Sequence, residues 1–329
     1  MFQLTGRKLA IIFFVLFIIN YVIAVIWSSE PDRVDIKSYM TEQAAANDEQ
    51  IVTGYATTSA LMLVAETLMN KPGGYLSNDK IPPSVLMDNM PNWELGALNQ
   101  VRDLALIMRK DFSRSQSQSV EHPQLKIAQP KFNIDHTSWQ LPSAEREYQD
   151  AIDALKIYRS QLANPTDPNA QFYARADNLV NWLNEVQSRL GSMSQKLSAS
   201  VGRTRLNTNL AGEEGAAQST FSPSESLVKT SWWEIDDVFY EARGEAWALL
   251  HFFQAIEIDF KGVLEKKNAT VAVRQIVREL EATQESVWSP MILNGTGFGL
   301  VANHSLVMAN YVSRANAAII NLNNLLTKG

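Results

Sequence analysis

The chain contains no cysteine and four histidines, so its chemistry must rest on carboxylates, hydroxyls and those imidazoles. His122, His136, His251 and His304 give neither His-x-x-x-His nor Glu-x-x-His spacing, the patterns that put two metal ligands on one helical face. The sequence therefore predicts no metal centre and no cofactor. The best carboxylate cluster is Glu234, Glu241 and Glu245, on one flank of an expected helix with Asp237 nearby. Two carboxyl groups that share a cleft and differ in proton affinity can bind a cation or act in acid/base catalysis, as in glycosidases. The same residues also suit a solvated acidic ridge near a helix N-terminus, and that is the reading the sequence favours.

Three further stretches carry candidate binding groups. "DFSRSQSQS", Asp111 to Ser119, offers Arg114 and Gln116 as polar contacts on a loop or helix end; the alternative is a solvated terminus. "QFYARADNLVNWL", Gln171 to Leu183, sets Arg175 and Asp177 beside Phe172, Ala176, Leu179 and Leu183, which recur at helical spacing. Those apolar steps continue through Val186, Leu190, Met193 and Leu197, so the stretch reads first as the seam of a packed helix. "SWWEIDDVFY" brings Trp232 and Trp233 together, as a partner or membrane anchor or as core. "GTGFG" at 295–299 lacks the strand before it and the Lys-Ser/Thr after it that a phosphate loop needs.

Long helices are the elements available to position these groups. Faces with three- and four-residue steps run from Ile51 to Met69, Leu98 to Phe112, Tyr148 to Leu162, Ile235 to Phe260 and Val301 to Leu326. The helix beginning near Ser231 carries a second apolar stripe, which predicts a position at the centre of the fold. Ser143 followed by acidic residues marks one helix start, and the short "NPTDPN" connection predicts an antiparallel αα-hairpin over 143–200. Residues 120–142, with three prolines, read as irregular. The fold class is all-α: a helical bundle with long antiparallel helices.

Leu9 to Trp27 carries no charge and spans about 28 Å as a helix, close to a bilayer core. Arg7 and Lys8 precede it and Glu30 and Asp32 follow, so the positive-inside rule puts the N-terminus in the cytoplasm and the rest of the chain outside. The stretch is longer than the apolar region of a cleaved signal peptide. The expected organisation is a cytoplasmic tail 1–8, a transmembrane anchor 9–27, a polar stalk 28–48 and an N-terminal helical half 49–200. A flexible loop or hinge 201–230 and a C-terminal helical half 231–329 complete it. A net charge of -6 excludes a nucleic-acid partner, which would demand clustered Lys and Arg. The anchor makes the lipid bilayer a partner.

Several stretches resemble an uncharacterised family of proteobacterial inner-membrane proteins, a domain of unknown function. They are "GGYLSND" (73–79), "NMPNWELG" (89–96), "DFSRSQSQS", "FYARADNL" and "LGSMSQKLSASVG" (190–202), in that order along the chain. The resemblance implies a bacterial envelope setting, hence a periplasmic outer domain, and brings no catalytic residue with it. The expected function is a membrane-anchored periplasmic scaffold or adaptor that binds another envelope protein. The alternatives are an enzyme acting on cell-wall glycan or lipid through Glu241 or Glu245, and a helical domain that binds a hydrophobic ligand.

Overall fold

The computed structural model describes residues 6–115, 120–164, 166, 169–206, 225–289, 291–295 and 301–328. Among these are eleven α-helices: α1 (Gly6–Trp27), α2 (Ile36–Asn47), α3 (Tyr55–Asn70), α4 (Asn89–Ile107), α5 (Pro123–Phe132), α6 (Ala144–Ala163), α7 (Ala176–Ser198), α8 (Ile235–Asp259), α9 (Lys261–Lys266), α10 (Thr270–Ala282) and α11 (His304–Lys328). The all-α reading holds.

The helix α8 lies at the centre, as its two apolar stripes require: α2, α3, α4, α10 and α11 all pack on it. Its closest neighbour is α4, and glycine makes the approach possible. A Cβ on Gly96 would sit 2.0 Å from the Glu241 carbonyl oxygen, and one on Gly244 would sit 1.9 Å from that of Trp93. The two backbones therefore touch, and the indoles of Trp93 and Trp247 close over the crossing with centroids 5.2 Å apart. At the far end of this pair Phe112 and Phe260 meet, joined by Phe172. Asp259 caps α3 there, accepting from Gly54 N at 2.8 Å and from Thr57 N and Oγ1 at 2.7 Å. Burial raises its pKa to about 6.

The structure corrects several expectations. Residues 28–48 are not a stalk: 36–47 form α2, which buries Ile36, Met40 and Ala44 against the bundle. The preceding extended segment lies along α8, whose Arg243, Trp247 and His251, four residues apart, engage the Glu30 carboxylate, Asp32 O and Val34 N. His251 donates from Nδ1 to Trp247 O and accepts at Nε2; burial lowers its pKa to about 4 and keeps the ring neutral. Residues 120–142 contain α5, because Pro123 suits the first helical position, His122 Nδ1 accepts from Gln124 N, and Leu125, Ala128 and Phe132 make one buried face.

The αα-hairpin over 143–200 is absent. The α6 helix packs on α5 and α3, and α7 packs antiparallel on α11, with Ser194 Oγ 2.6 Å from Ser313 Oγ and Asn184 bonded to Asn323. Phe172 belongs to an extended segment before α7, held by a 2.7 Å bond from Tyr173 N to Phe112 O, so the seam begins only at Leu179. Of the span read as a loop or hinge, residues 207–224 lie outside the described residues; on either side of them Arg203–Leu206 and Glu225–Val228 pair as an antiparallel ribbon. One continuous core contains residues of both expected halves.

Candidate functional site

The α4 helix ends in a π-helical turn, Met108–Phe112. Such turns hold one extra residue and recur at functional sites because they change the direction in which side chains leave the helix. Here the turn faces the start of α7. Asn178, buried, donates from Nδ2 to Asp111 O at 3.1 Å and Tyr173 O at 3.0 Å, and Asn181 Nδ2 donates to Asp111 Oδ1 at 3.3 Å. Arg175 Nη1 donates to Ser115 O at 2.9 Å while its Nε and Nη2 grip the Asp177 carboxylate. The result is a polar cleft of about 460 Å³ lined by Lys110, Asp111, Arg114, Glu121, Arg175 and Asp177, among others.

Three of the sequence candidates, Arg114, Arg175 and Asp177, thus share one cleft although some sixty residues separate them in the chain. Gln116 lies outside the described residues. Charges of both signs alternate with carboxamides around the cleft, a surface that can match the alternating donors and acceptors of a peptide or a zwitterionic group. No nucleophile and base pair is assembled among its described residues.

A second cleft, about 280 Å³, opens between α7 and α8 and takes in Glu241 and Glu245. Glu241 is paired with Lys196, whose Nζ lies 3.1 and 3.2 Å from its two oxygens. Glu245 is 1% exposed, and its Oε2 has no hydrogen-bond partner. Arg189, on the same wall, is committed bidentately to Asp103. Burial raises the Glu245 pKa to about 8, Glu241 and Asp103 adding to the effect and Arg189 and Lys196 opposing it. Glu245 is therefore a neutral carboxylic acid at pH 7, able to donate a proton or a hydrogen bond into the cleft.

The expected acidic ridge is accordingly divided. Glu234, at a 3-10 turn ahead of α8, is exposed and stands with Asp88, Asp236 and Asp237. Burial, reinforced by Asp88, Asp236 and Glu234, raises the Asp237 pKa to about 6. Trp232 and Trp233 are 65% and 79% exposed, so they are surface side chains rather than core. Among the described residues no group of three or more His, Asp or Glu side chains is placed to hold a metal ion. Reading the sequence missed Asn178, Asn181, Lys196 and Arg189; only the burial of an amide inside an apolar seam could have marked the first.

These features define an all-α bundle that carries one N-terminal apolar helix long enough to cross a membrane, with no assembled catalytic triad or metal centre among its described residues. The chain belongs to a family described as uncharacterized proteins conserved in bacteria (DUF2333), whose profile it matches over residues 3–329. No curated protein and no solved structure matches it.

Proposed function

We propose that this protein is a membrane-anchored adaptor of the bacterial cell envelope, with α1 crossing the inner membrane once and the helical domain on the periplasmic side. The α1 surface supports the anchor: none of its apolar window is buried in the bundle. Arg7 and Lys8 before that window and Glu30 and Asp32 after it support the orientation. The adaptor reading is carried by the cleft between the π-helical turn and α7. It sits at the opposite end of α4 from the α1 junction, about 28 Å away along the helix, so it faces away from the membrane. There it is open to a polar segment of another envelope protein.

The test is a mild-detergent pull-down of the full-length protein from native membranes, beside Arg175→Ala with Asp177→Ala. Both side chains are half exposed, so folding is spared. Loss of a stoichiometric protein partner from the double variant is the expected result; equal recovery of that partner would refute the cleft. A second reading is favoured by the unpartnered Oε2 of Glu245: a protonated carboxyl at the base of a cleft suits general-acid chemistry on glycan or lipid. For that reading Glu245→Gln should abolish function in cells while leaving the fold and the partner intact.

A further inference from the structure

The junction between α1 and the bundle is packed. Trp27 lies on the backbone of Gly73, where an added Cβ would come within 2.7 Å of the indole. The turn bearing Gly73 is fixed from beneath by Glu94, fully buried, which accepts from Leu76 N and Ser77 N at 2.8 Å each and pairs with Lys71 at 2.5 Å. Beyond Trp27 the chain is held along α8 by Arg243, Trp247 and His251. These contacts set the position of α1 relative to everything beside it.

Beside it lies the turn at 81–87. Pro82 and Pro83 shape its first half, Ser84 Oγ donates to Ile81 O at 2.8 Å, and Leu86 N and Met87 N close a 3-10 turn onto Pro83 O and Ser84 O at 2.9 Å each. Its polar groups are thus used internally, and its aliphatic side chains point outward. Ile81 is 74% exposed and Leu86 80%. Between this turn and α1 is an apolar slot of about 410 Å³, lined by Phe13, Phe17, Tyr21 and Ala24 from the helix and Pro82 and Leu86 from the turn. At 1.5 Å per residue, those helix positions lie about 5 to 20 Å below Trp27 along the axis. If Trp27 marks the membrane interface, the turn lies below it, level with the hydrocarbon that surrounds α1.

The start of α8 points the same way. The segment from Glu30 to Val34 ascends α8 from Arg243 to His251, so the helix end before Arg243 lies on the α1 side. Trp232 and Trp233 are exposed there, ring centroids 4.9 Å apart. Asn92 Nδ2 donates to Asp237 Oδ1 at 2.8 Å, tying this end to the start of α4, directly after the turn.

We propose that the 81–87 turn is a second membrane-contact element that enters the same leaflet as the C-terminal half of α1, with a lipid acyl chain in the slot and the Trp232–Trp233 pair at headgroup level. This rests on the reading of α1 as a membrane span. An exposed aliphatic turn continuous with an apolar span fits hydrocarbon and no other occupant as well. The charges around it, Lys80, Asp88, Glu234 and Asp236, are mostly acidic, so apolar area and not attraction to anionic headgroups carries the contact, which salt will not weaken.

A chain without cysteine permits a clean test. Single substitutions Leu86→Cys, Phe17→Cys and Val271→Cys in the full-length protein are labelled with an environment-sensitive fluorophore and reconstituted into phosphatidylcholine vesicles containing doxyl-labelled phosphatidylcholine. Val271, 75% exposed on α10 near the far end of α8, reports water. The expected result is loss of emission from the Leu86 probe comparable to that from Phe17, unchanged by salt, with Val271 unaffected. Quenching at Phe17 with Leu86 behaving like Val271 would overturn the second contact and leave the anchor standing. Quenching at neither Phe17 nor Leu86 would overturn both.

Discussion

Glu245→Gln isolates the energetic consequence of putting a carboxyl group at the base of the α7–α8 cleft. In the native protein the carboxyl keeps its proton up to about pH 8, whereas the unfolded chain releases it near the ordinary value of 4.5. Between those limits the native state binds more protons than the unfolded state, so stability must fall as pH rises. Each pKa unit is worth about 1.4 kcal/mol, and integrating from pH 5 to pH 8 gives a loss of roughly 3 to 4 kcal/mol. For a chain of this size that corresponds to a fall in melting temperature of about 5 °C. Glutamine has the shape of the protonated acid and cannot ionise, so the variant should lack this part of the pH dependence and be the more stable protein at pH 8. Circular-dichroism melting of the full-length protein and the variant in nonionic detergent, at pH 5, 6, 7 and 8, measures the difference directly. Other carboxyls, Asp237 and Asp259 among them, also titrate in this window, but they contribute equally to both proteins and cancel. Parallel curves would mean that Glu245 ionises normally, through water entering from the cleft or through Arg189, and the general-acid reading would fall with it.

Two other substitutions probe the frame that holds the clefts. Gly244→Ala forces a Cβ to within 1.9 Å of the Trp93 carbonyl oxygen, so α4 and α8 must separate by more than 1 Å. The expected cost is about 3 kcal/mol or more, read as a lower melting temperature with altered near-ultraviolet signal from Trp93 and Trp247; an unchanged melt would refute backbone contact at the crossing. Glu94→Ala strands the Lys71 ammonium, whose side chain is 1% exposed, and leaves two backbone N–H groups without their acceptor. A loss of about 3–5 kcal/mol is expected by urea titration, and a loss below 1 kcal/mol would show that the pair is dispensable.

The helices themselves were legible because a buried helical face needs only apolar residues at three- and four-residue steps. The run Leu179 to Leu197 and the run Ser305 to Leu326 are buried as that spacing requires. Which seam meets which was not legible. A short connection favours adjacent helices, but Phe172 between Phe112 and Phe260, with Tyr173 N on Phe112 O, draws the chain away from α6 before α7 begins. The polar cleft shares that cause, since the same extended segment delivers Arg175 to Ser115.

The extended segment at 28–35 was hidden for a different reason. Of the three α8 side chains that hold it, two bond main-chain atoms, Asp32 O and Val34 N, and a main-chain partner leaves no trace in residue identity. What did leave a trace is the excess of apolar residues over what packing consumes. Ile81 and Leu86 read in sequence like any core residue, and the Trp232–Trp233 pair suits core or contact equally; exposure is what sets all four apart. Close packing elsewhere fills the interior without them, so these side chains add nothing to the stability of the bundle in water. Covering them would remove apolar area from water, and the proposed membrane contact of the 81–87 turn supplies such a cover for Ile81 and Leu86 beside α1.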